Sequence, residues 1–318
     1  MAGRRLPLNR VLVCDRIADE AVAMMKEGGL DVRYDPEIGR EELLGSVADY
    51  DCLVVRSRTK VDAPVIRAGS RLKAVGRAGV GLDNVDLAEA EKRGVRVFNA
   101  PDSLTNAVAE HVLGLFISVA KGIAYAHPMV ARGEWPKDRL MGRELTGKAF
   151  GIVGFGRIGR RLAQLLRPFN PRLLVYDVVI PPADALGPAR LVDLDTLLKE
   201  SDFVSLHVPA TPDTVGMMDS ARFSLMKEGA VLVNTSRGNV LDEAALVASL
   251  KSGRLAGAGL DVFASEPPKN RELLLLDTVV LTPHIAGQTA EAQTAAGTDV
   301  ARKVVEFFGG PPRGRANV

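Results

Sequence analysis

The feature that most constrains this chain is the apolar run Ala149–Val153, which leads straight into Gly154-Phe-Gly156-Arg-Ile-Gly159 and a helical pattern over Ile158–Leu166. Gly154 permits the tight turn, Gly156 lacks a β-carbon so that a pyrophosphate can approach the backbone, and Gly159 lets helix pack on strand. The helix start would then present free N–H groups and the positive dipole end to the phosphates. A second strand, Leu173-Leu-Val-Tyr-Asp177, ends in an acid eighteen residues beyond Gly159, near the roughly 20 expected for a ribose-binding carboxylate. Asp177 would accept the adenosine ribose hydroxyls and repel a 2′-phosphate, so NAD is expected over NADP. Arg172, at the start of that strand, is the nearby cation that would soften this preference.

The rest of the chain repeats the strand–helix alternation. Strands are predicted at Val11–Val13, Val32–Tyr34, Cys52–Val55, Ala74–Val75 and Val95–Val97, with helices at Ile17–Glu27, Arg40–Val47, Ala63–Gly69 and Leu87–Arg93. A buried helix over Ala107–Ala120 follows the possible caps Ser103 and Thr105. Six further strands are predicted at Ala149–Val153, Leu173–Tyr176, Phe203–His207, Ala230–Asn234, Gly257–Asp261 and Val279–Leu281. Helices fall between them at Ile158–Leu166, Leu194–Lys199, Ser220–Leu225 and Glu243–Ser252. A last helix, Thr289–Phe308, precedes a tail, Gly309–Val318, that should be frayed. Such alternation implies parallel sheets covered on both faces. The expectation is an α/β chain of two Rossmann-like, doubly wound domains. The first spans 1–101 and is completed by 290–318; the second, the NAD-binding domain, spans 102–289.

Composition excludes several classes. The 318 residues carry 41 Lys plus Arg against 39 Asp plus Glu, a formal charge of +2, too small an excess for nucleic-acid binding driven by bulk charge. Cys14 and Cys52 are the two cysteines, both in apolar strand-like runs, which excludes a disulfide framework or cysteine-rich zinc site; no metal is expected. No apolar stretch is long enough for a signal peptide or membrane span, so the cytoplasm is the expected compartment.

Hydride transfer to or from a hydroxyl-bearing carbon needs a proton carrier and a group that orients the substrate. Three candidates sit at consecutive strand ends, where open α/β sheets bind ligands: Arg237 in Thr235-Ser-Arg-Gly238, Glu266 beyond Asp261, and His284 in Leu281-Thr-Pro-His284. Arginine suits a planar carboxylate through two parallel hydrogen bonds. Histidine can take and return the hydroxyl proton, and a glutamate on its other nitrogen would fix the tautomer and favour the protonated ring. His207 competes for the role, although the Pro209 that follows suggests a loop lining the cofactor. His111 reads as structural and His127 as a loop residue. Gly76-Arg-Ala-Gly79-Val-Gly81 is either a loop whose amides approach substrate or a plain turn.

Together these stretches resemble the D-isomer-specific 2-hydroxyacid dehydrogenases, most closely the D-3-phosphoglycerate dehydrogenase branch. The resemblance is carried by Val55-Arg-Ser-Arg-Thr-Lys-Val61, Gly76 to Asp86, Gly154 to Gly159, Asn234 to Gly238, Leu260 to Pro267 and Thr282 to Gly287. It implies Arg237 as carboxylate clamp, Glu266 as histidine partner and His284 as acid–base group. It places Arg56, Ser57 and the amides around Gly79 and Val80 in the substrate pocket. Val80, Arg157, Ile158, Asp177, Val208, Thr235, Ser236, Arg237, Asp261, His284, Ile285, Ala286 and Gly287 would contact NAD. It further implies a homodimer joined through the NAD-binding domain, a cleft between domains, and oxidation of 3-phosphoglycerate in serine biosynthesis. Glyoxylate or hydroxypyruvate reduction is the alternative, and an NAD-sensing protein like the transcriptional corepressors of this fold is a third. Arg56 is the first candidate for a phosphate, with Lys60, Lys137, Arg139 and Arg143 as others. Val80 and Gln288 depart from the usual pattern, and a short form without a C-terminal regulatory domain is implied.

Overall fold

The computed structural model describes residues 8–309, so Arg4, Arg5 and the expected frayed tail from residue 310 lie outside the described residues. The chain forms two compact units, one running up to Leu104 and resuming at Gln288, the other spanning Thr105–Gly287. The first holds β1 (Arg10–Val13), α1 (Asp19–Glu27), β2 (Asp31–Tyr34), α2 (Arg40–Ser46), β3 (Cys52–Val55), α3 (Ala63–Ala68), β4 (Ala74–Arg77), α4 (Leu87–Lys92) and β5 (Arg96–Asn99). Its sheet is parallel, in the order β2-β1-β3-β4-β5. β1 and β3 are buried on both faces, which is why they read as unbroken apolar runs. The aspartates Asp62 and Asp86 start α3 and α4 by accepting the amides of Val65 and Glu89. Cys14 and Cys52 are free, buried thiols, and burial holds both far above their ordinary pKa.

Asp51, immediately before β3, is a buried carboxylate that accepts from Arg10 N at 2.9 Å, Arg71 Nη2 at 3.0 Å and Lys73 Nζ at 3.1 Å. Burial alone would raise its pKa, but these donors outweigh it and hold the carboxyl below its ordinary value. A folded-state pKa below the unfolded one stabilises the fold above about pH 4, and that stabilisation is lost as pH falls through the folded value. Asp51→Asn should therefore cost about 2 kcal/mol at neutral pH and flatten the acid limb of a urea-midpoint profile. An unchanged acid limb would contradict this account.

The second unit contains α5 (Thr105–Lys121), α6 (Ile123–Ala131), β6 (Ala149–Val153), α7 (Arg157–Leu166), β7 (Arg172–Tyr176), α8 (Ala183–Leu186), β8 (Arg190–Leu191), α9 (Leu194–Glu200), β9 (Phe203–Leu206), α10 (Ser220–Leu225), β10 (Ala230–Asn234), α11 (Glu243–Lys251), β11 (Leu255–Leu260), α12 (Arg271–Leu274) and β12 (Val279–Leu281). The sheet is again parallel, ordered β12-β11-β10-β9-β6-β7-β8. It has seven strands where six were expected, because β8 is only two residues long and leaves no apolar run to read. α6 was also unforeseen: it is apolar on every side, so it shows no 3.6-residue stripe, and it carries His127, which is therefore helical rather than in a loop. Phe116 of α5 packs edge-on against Phe150 and Phe203, which stack on each other at 4.9 Å, so α5 is anchored at the middle of the sheet. Among the described residues no single helix is long and apolar enough to cross a membrane.

The chain then returns to the first unit as α13 (Ala290–Phe307), whose first turn is capped by the Thr289 hydroxyl accepting from Ala292 N. Ala296, Val300, Ala301, Val304 and Val305 join Val11, Val13, Val54 and Ala74 of the strands and Ala21 and Met25 of α1 in one buried cluster, so α13 supplies about a third of the core on that face of the sheet.

Candidate active site

Connections leave in opposite directions from the adjacent strands β6 and β9, and ligands of open α/β sheets bind at the carboxyl ends of such a pair. Gly154 leaves β6 with φ +92, and a β-carbon there would lie 2.8 Å from the His207 carbonyl at the end of β9. A β-carbon at Gly159 would lie 2.4 Å from the Gly154 carbonyl, so helix α7 closes on the turn only because that residue is glycine. At Gly156, by contrast, a β-carbon would meet nothing within 4 Å: the space beside the turn is open. Helix α7 starts at Gly156 with no side-chain cap, at the end of a helix where the first amides have no partner within the helix itself. Asp177 is tied to the turn, its Oδ2 accepting from Phe155 N at 2.7 Å and its Oδ1 from Val179 N at 2.9 Å. Arg172 is committed elsewhere, to the Glu200 carboxylate and carbonyl. Burial pushes the His207 imidazole down to about 4, so it is neutral at physiological pH and bonds to Ser205 Oγ at 3.1 Å. These groups fit a dinucleotide. So does Thr235, whose buried hydroxyl has no partner among the described residues, a state that a ligand's polar group would relieve.

Three loops leave the carboxyl ends of the neighbouring strands β10, β11 and β12, and they carry Arg237, Glu266 and His284. Asn234, fully buried at the end of β10, organises the first loop: its Oδ1 accepts from Ser236 N and Oγ, and its Nδ2 donates to the Arg237 carbonyl at 2.9 Å. Arg237 Nη1 donates to the Ser236 carbonyl at 2.7 Å. The first loop lies flush against the second, since a β-carbon at Gly238 would fall 1.9 Å from the Phe263 carbonyl carbon. Gly238→Ala should therefore cost about 3 kcal/mol by overpacking, read as a lowered Tm. A variant as stable as the parent would show that the two loops are not packed this way.

His284 Nδ1 lies 2.9 Å and 3.1 Å from the two Glu266 oxygens, so the ring and the carboxylate form a direct pair. His284 has φ +55, the left-handed region that a side-chain-bearing residue occupies only when its surroundings demand it. Those surroundings are built by Asp261, fully buried after β11. Its backbone oxygen accepts from His284 N at 2.9 Å, its Oδ1 from Ile285 N at 2.8 Å and its Oδ2 from Ala286 N at 2.9 Å. Sequence reading placed Asp261, Ser236 and Ala286 against a cofactor; within the chain their hydrogen bonds shape the loops that carry Arg237 and His284. Asn234 was missed as a site residue, although an asparagine wholly inside an apolar strand end was the signal for it.

Residues 113–286 match the family described as D-isomer specific 2-hydroxyacid dehydrogenase, NAD binding domain. The chain belongs to that family. It is 43% identical to the D-3-phosphoglycerate dehydrogenase of Archaeoglobus fulgidus over 95% of this chain and 58% of that protein. It therefore spans little more than half the length of that relative. It is also 43% identical to the hydroxypyruvate reductase of Thermotoga maritima, over 94% of this chain and 98% of that one. Among solved structures it is similar to a protein from Thermus thermophilus (TM-score 0.86, 34% identity, 95% and 98% of the two chains). A glyoxylate reductase from Paecilomyes thermophila gives TM-score 0.88 at 28% identity, covering 96% of each chain.

In this 2-hydroxyacid dehydrogenase family member the remaining expected residues, Arg56, Ser57, Gly79 and Val80, lie in the first unit. The Arg56–Thr59 loop is shaped by buried Asp15, which accepts from Arg56 N at 2.5 Å, Arg58 Nε at 2.9 Å and Thr59 Oγ1 at 2.7 Å. Ser57 is exposed on that loop. Gly79 has φ +149, its carbonyl accepts from Ala100 N at 2.8 Å, and the Val80 carbonyl accepts from Asn99 Nδ2 at 2.7 Å. Arg56 donates to Gln288 Oε1 at 3.0 Å and to the Arg16 carbonyl at 3.3 Å, and burial pulls its guanidinium below its ordinary pKa against the opposing charge of Asp15. Arg143 donates to the Gly229 carbonyl within the other unit, while Lys60, Lys137 and Arg139 are exposed.

Proposed function

We propose that the protein is an NAD-dependent dehydrogenase interconverting a small D-2-hydroxyacid and its 2-oxoacid, with 3-phosphoglycerate and 3-phosphohydroxypyruvate, a pair of serine biosynthesis, as the favoured substrates. The observation that carries this reading is the His284–Glu266 pair, held one strand away from the Arg237 loop. Glu266 takes the Nδ1–H, which leaves His284 Nε2 to accept the 2-hydroxyl proton during oxidation and return it during reduction. The Glu266 carboxylate stabilises the imidazolium formed on the way. Arg237 holds the substrate carboxylate through its guanidinium fork. Bound NAD would be held by the Gly154–Gly159 turn, Asp177 and Thr235, and supplies the hydride acceptor.

A second reading, reduction of unphosphorylated hydroxypyruvate or glyoxylate, is favoured by two observations. The Thermotoga maritima relative named hydroxypyruvate reductase is matched over nearly its full length, and Arg56, the first candidate for a phosphate, is engaged by Gln288. A panel of 3-phosphohydroxypyruvate, hydroxypyruvate and glyoxylate with NADH and NADPH, followed by absorbance of the reduced nicotinamide, separates these. The favoured reading expects kcat/KM at least about tenfold higher for the phosphorylated acid and a preference for NADH. Equal turnover of all three would overturn the phosphate assignment. No turnover of any would overturn the dehydrogenase reading and return the corepressor-like sensor.

The proposal extends to a cytoplasmic homodimer joined through the second unit. Support comes from the apolar surface of α6 and the loop after it, where Ile123, Val130, Trp135 and Met141 are between 48% and 95% exposed. A second copy of the chain would cover it. Sedimentation equilibrium should give twice the chain mass, and Trp135→Asp should shift the population toward monomer. A parent protein that sediments as a monomer would overturn the assembly.

A further inference from the structure

We infer that His111, on α5, is a positioning residue for His284: its Nε2–H holds the Thr282 hydroxyl, which together with Asp261 fixes the loop bearing the acid–base histidine. The inference rests on the reading of His284 as proton carrier. His111 Nε2 lies 3.1 Å from Thr282 Oγ1, and Thr282 Oγ1 lies 2.6 Å from Asp261 Oδ1. An ionised carboxylate only accepts, so the single hydroxyl proton of Thr282 goes to Asp261. The hydroxyl oxygen is then an acceptor toward His111, which sets that ring as the Nε2–H form. The same nitrogen is 3.6 Å from Asp261 Oδ1 itself.

What this chain of bonds controls is the pose of His284. Asp261 Oδ1 serves both Thr282 and Ile285 N, so its direction decides whether the amides after His284 stay in place. Those amides keep the His284 backbone at φ +55, from which its ring meets Glu266. Helix α5 is otherwise apolar where it faces the sheet, with Ala107, Val108, Val112 and Leu115 buried, and a hydrocarbon side chain would pack there as well. A histidine whose nitrogen reaches the strand-end network adds a donor that packing does not require. A partly exposed side chain, 21% accessible, also makes substitution there tolerable for folding.

Four variants test this. His111→Phe removes the donor and His111→Gln keeps an N–H of similar reach; Thr282→Val removes the hydroxyl and Thr282→Ser keeps it. Amide hydrogen exchange at Ile285 and Ala286, measured without substrate, should quicken about tenfold in His111→Phe and Thr282→Val and stay near parental in the other two. In turnover, kcat should fall about five- to tenfold in the first pair, with KM for NADH within about twofold. Unchanged exchange in His111→Phe, or His111→Gln behaving like His111→Phe, would overturn the inference. A parent protein without any turnover would sink the dehydrogenase reading instead, and the exchange arm would still decide the role of His111.

Discussion

Replacing His284 with alanine should lower kcat for 2-oxoacid reduction by about three orders of magnitude, while NADH binding, followed by fluorescence, stays within about twofold of the parent. The basis is geometric. Glu266 occupies the Nδ1 side of the ring through both of its oxygens, so Nε2 is the nitrogen left to carry a proton to the substrate oxygen. His207 cannot substitute for it, because burial holds that ring at about 4 and keeps it neutral near pH 7. The limb of the pH–rate profile that belongs to the acid–base group should vanish in the variant. Glu266→Gln should cost less, about tenfold to a hundredfold, since it keeps the shape of the partner and loses its charge. A His284→Ala protein with most of the parental turnover would refute the assignment.

Arg237→Lys should lower kcat/KM for the oxoacid by about a hundredfold. Lysine keeps the charge, so the loss isolates the fork geometry. The Arg237 loop is pinned on both sides, by Asn234 at its backbone and by the Ser236 carbonyl at its guanidinium, so the loop that carries the fork is held in one shape before any carboxylate arrives. An ammonium has no planar fork and cannot both keep the Ser236 contact and span two oxygens. Added guanidinium should restore part of the activity of Arg237→Ala, which a folding defect would not allow. Parental kcat/KM in Arg237→Lys would show that carboxylate recognition lies elsewhere.

What could be read from the sequence was whatever local chemistry restricts to one residue type. The Gly154–Gly159 turn, the acid at Asp177 and the three strand-end groups were legible because each needs a particular atom set at a particular place along a strand. Arg172 misled for a simple reason: five residues of strand rise roughly 16 Å, so a cation close to Asp177 in sequence stands at the far end of β7, against Glu200. α6 escaped notice because it is apolar all round, and β8 because two residues make no pattern. The partnership of His111 with Thr282 spans 171 positions, beyond any spacing rule, and a histidine in an apolar helix carries no mark of which distant hydroxyl it meets. Gln288 was visible as an unusual residue, but its contact with Arg56 spans 232 positions.

During synthesis β1 to β5 leave the ribosome long before α13 exists, whereas Thr105–Gly287 is a single uninterrupted stretch. That stretch can complete its interior as it emerges. The N-terminal sheet must wait half-clad, with Val11, Val13, Val54 and Ala74 wetted on one side until Val300 and Val304 arrive. Nascent chains of this protein therefore carry a sticky face until α13 has emerged, and the arrival of that helix, rather than the end of the first hundred residues, is the moment at which the N-terminal part becomes safe from aggregation.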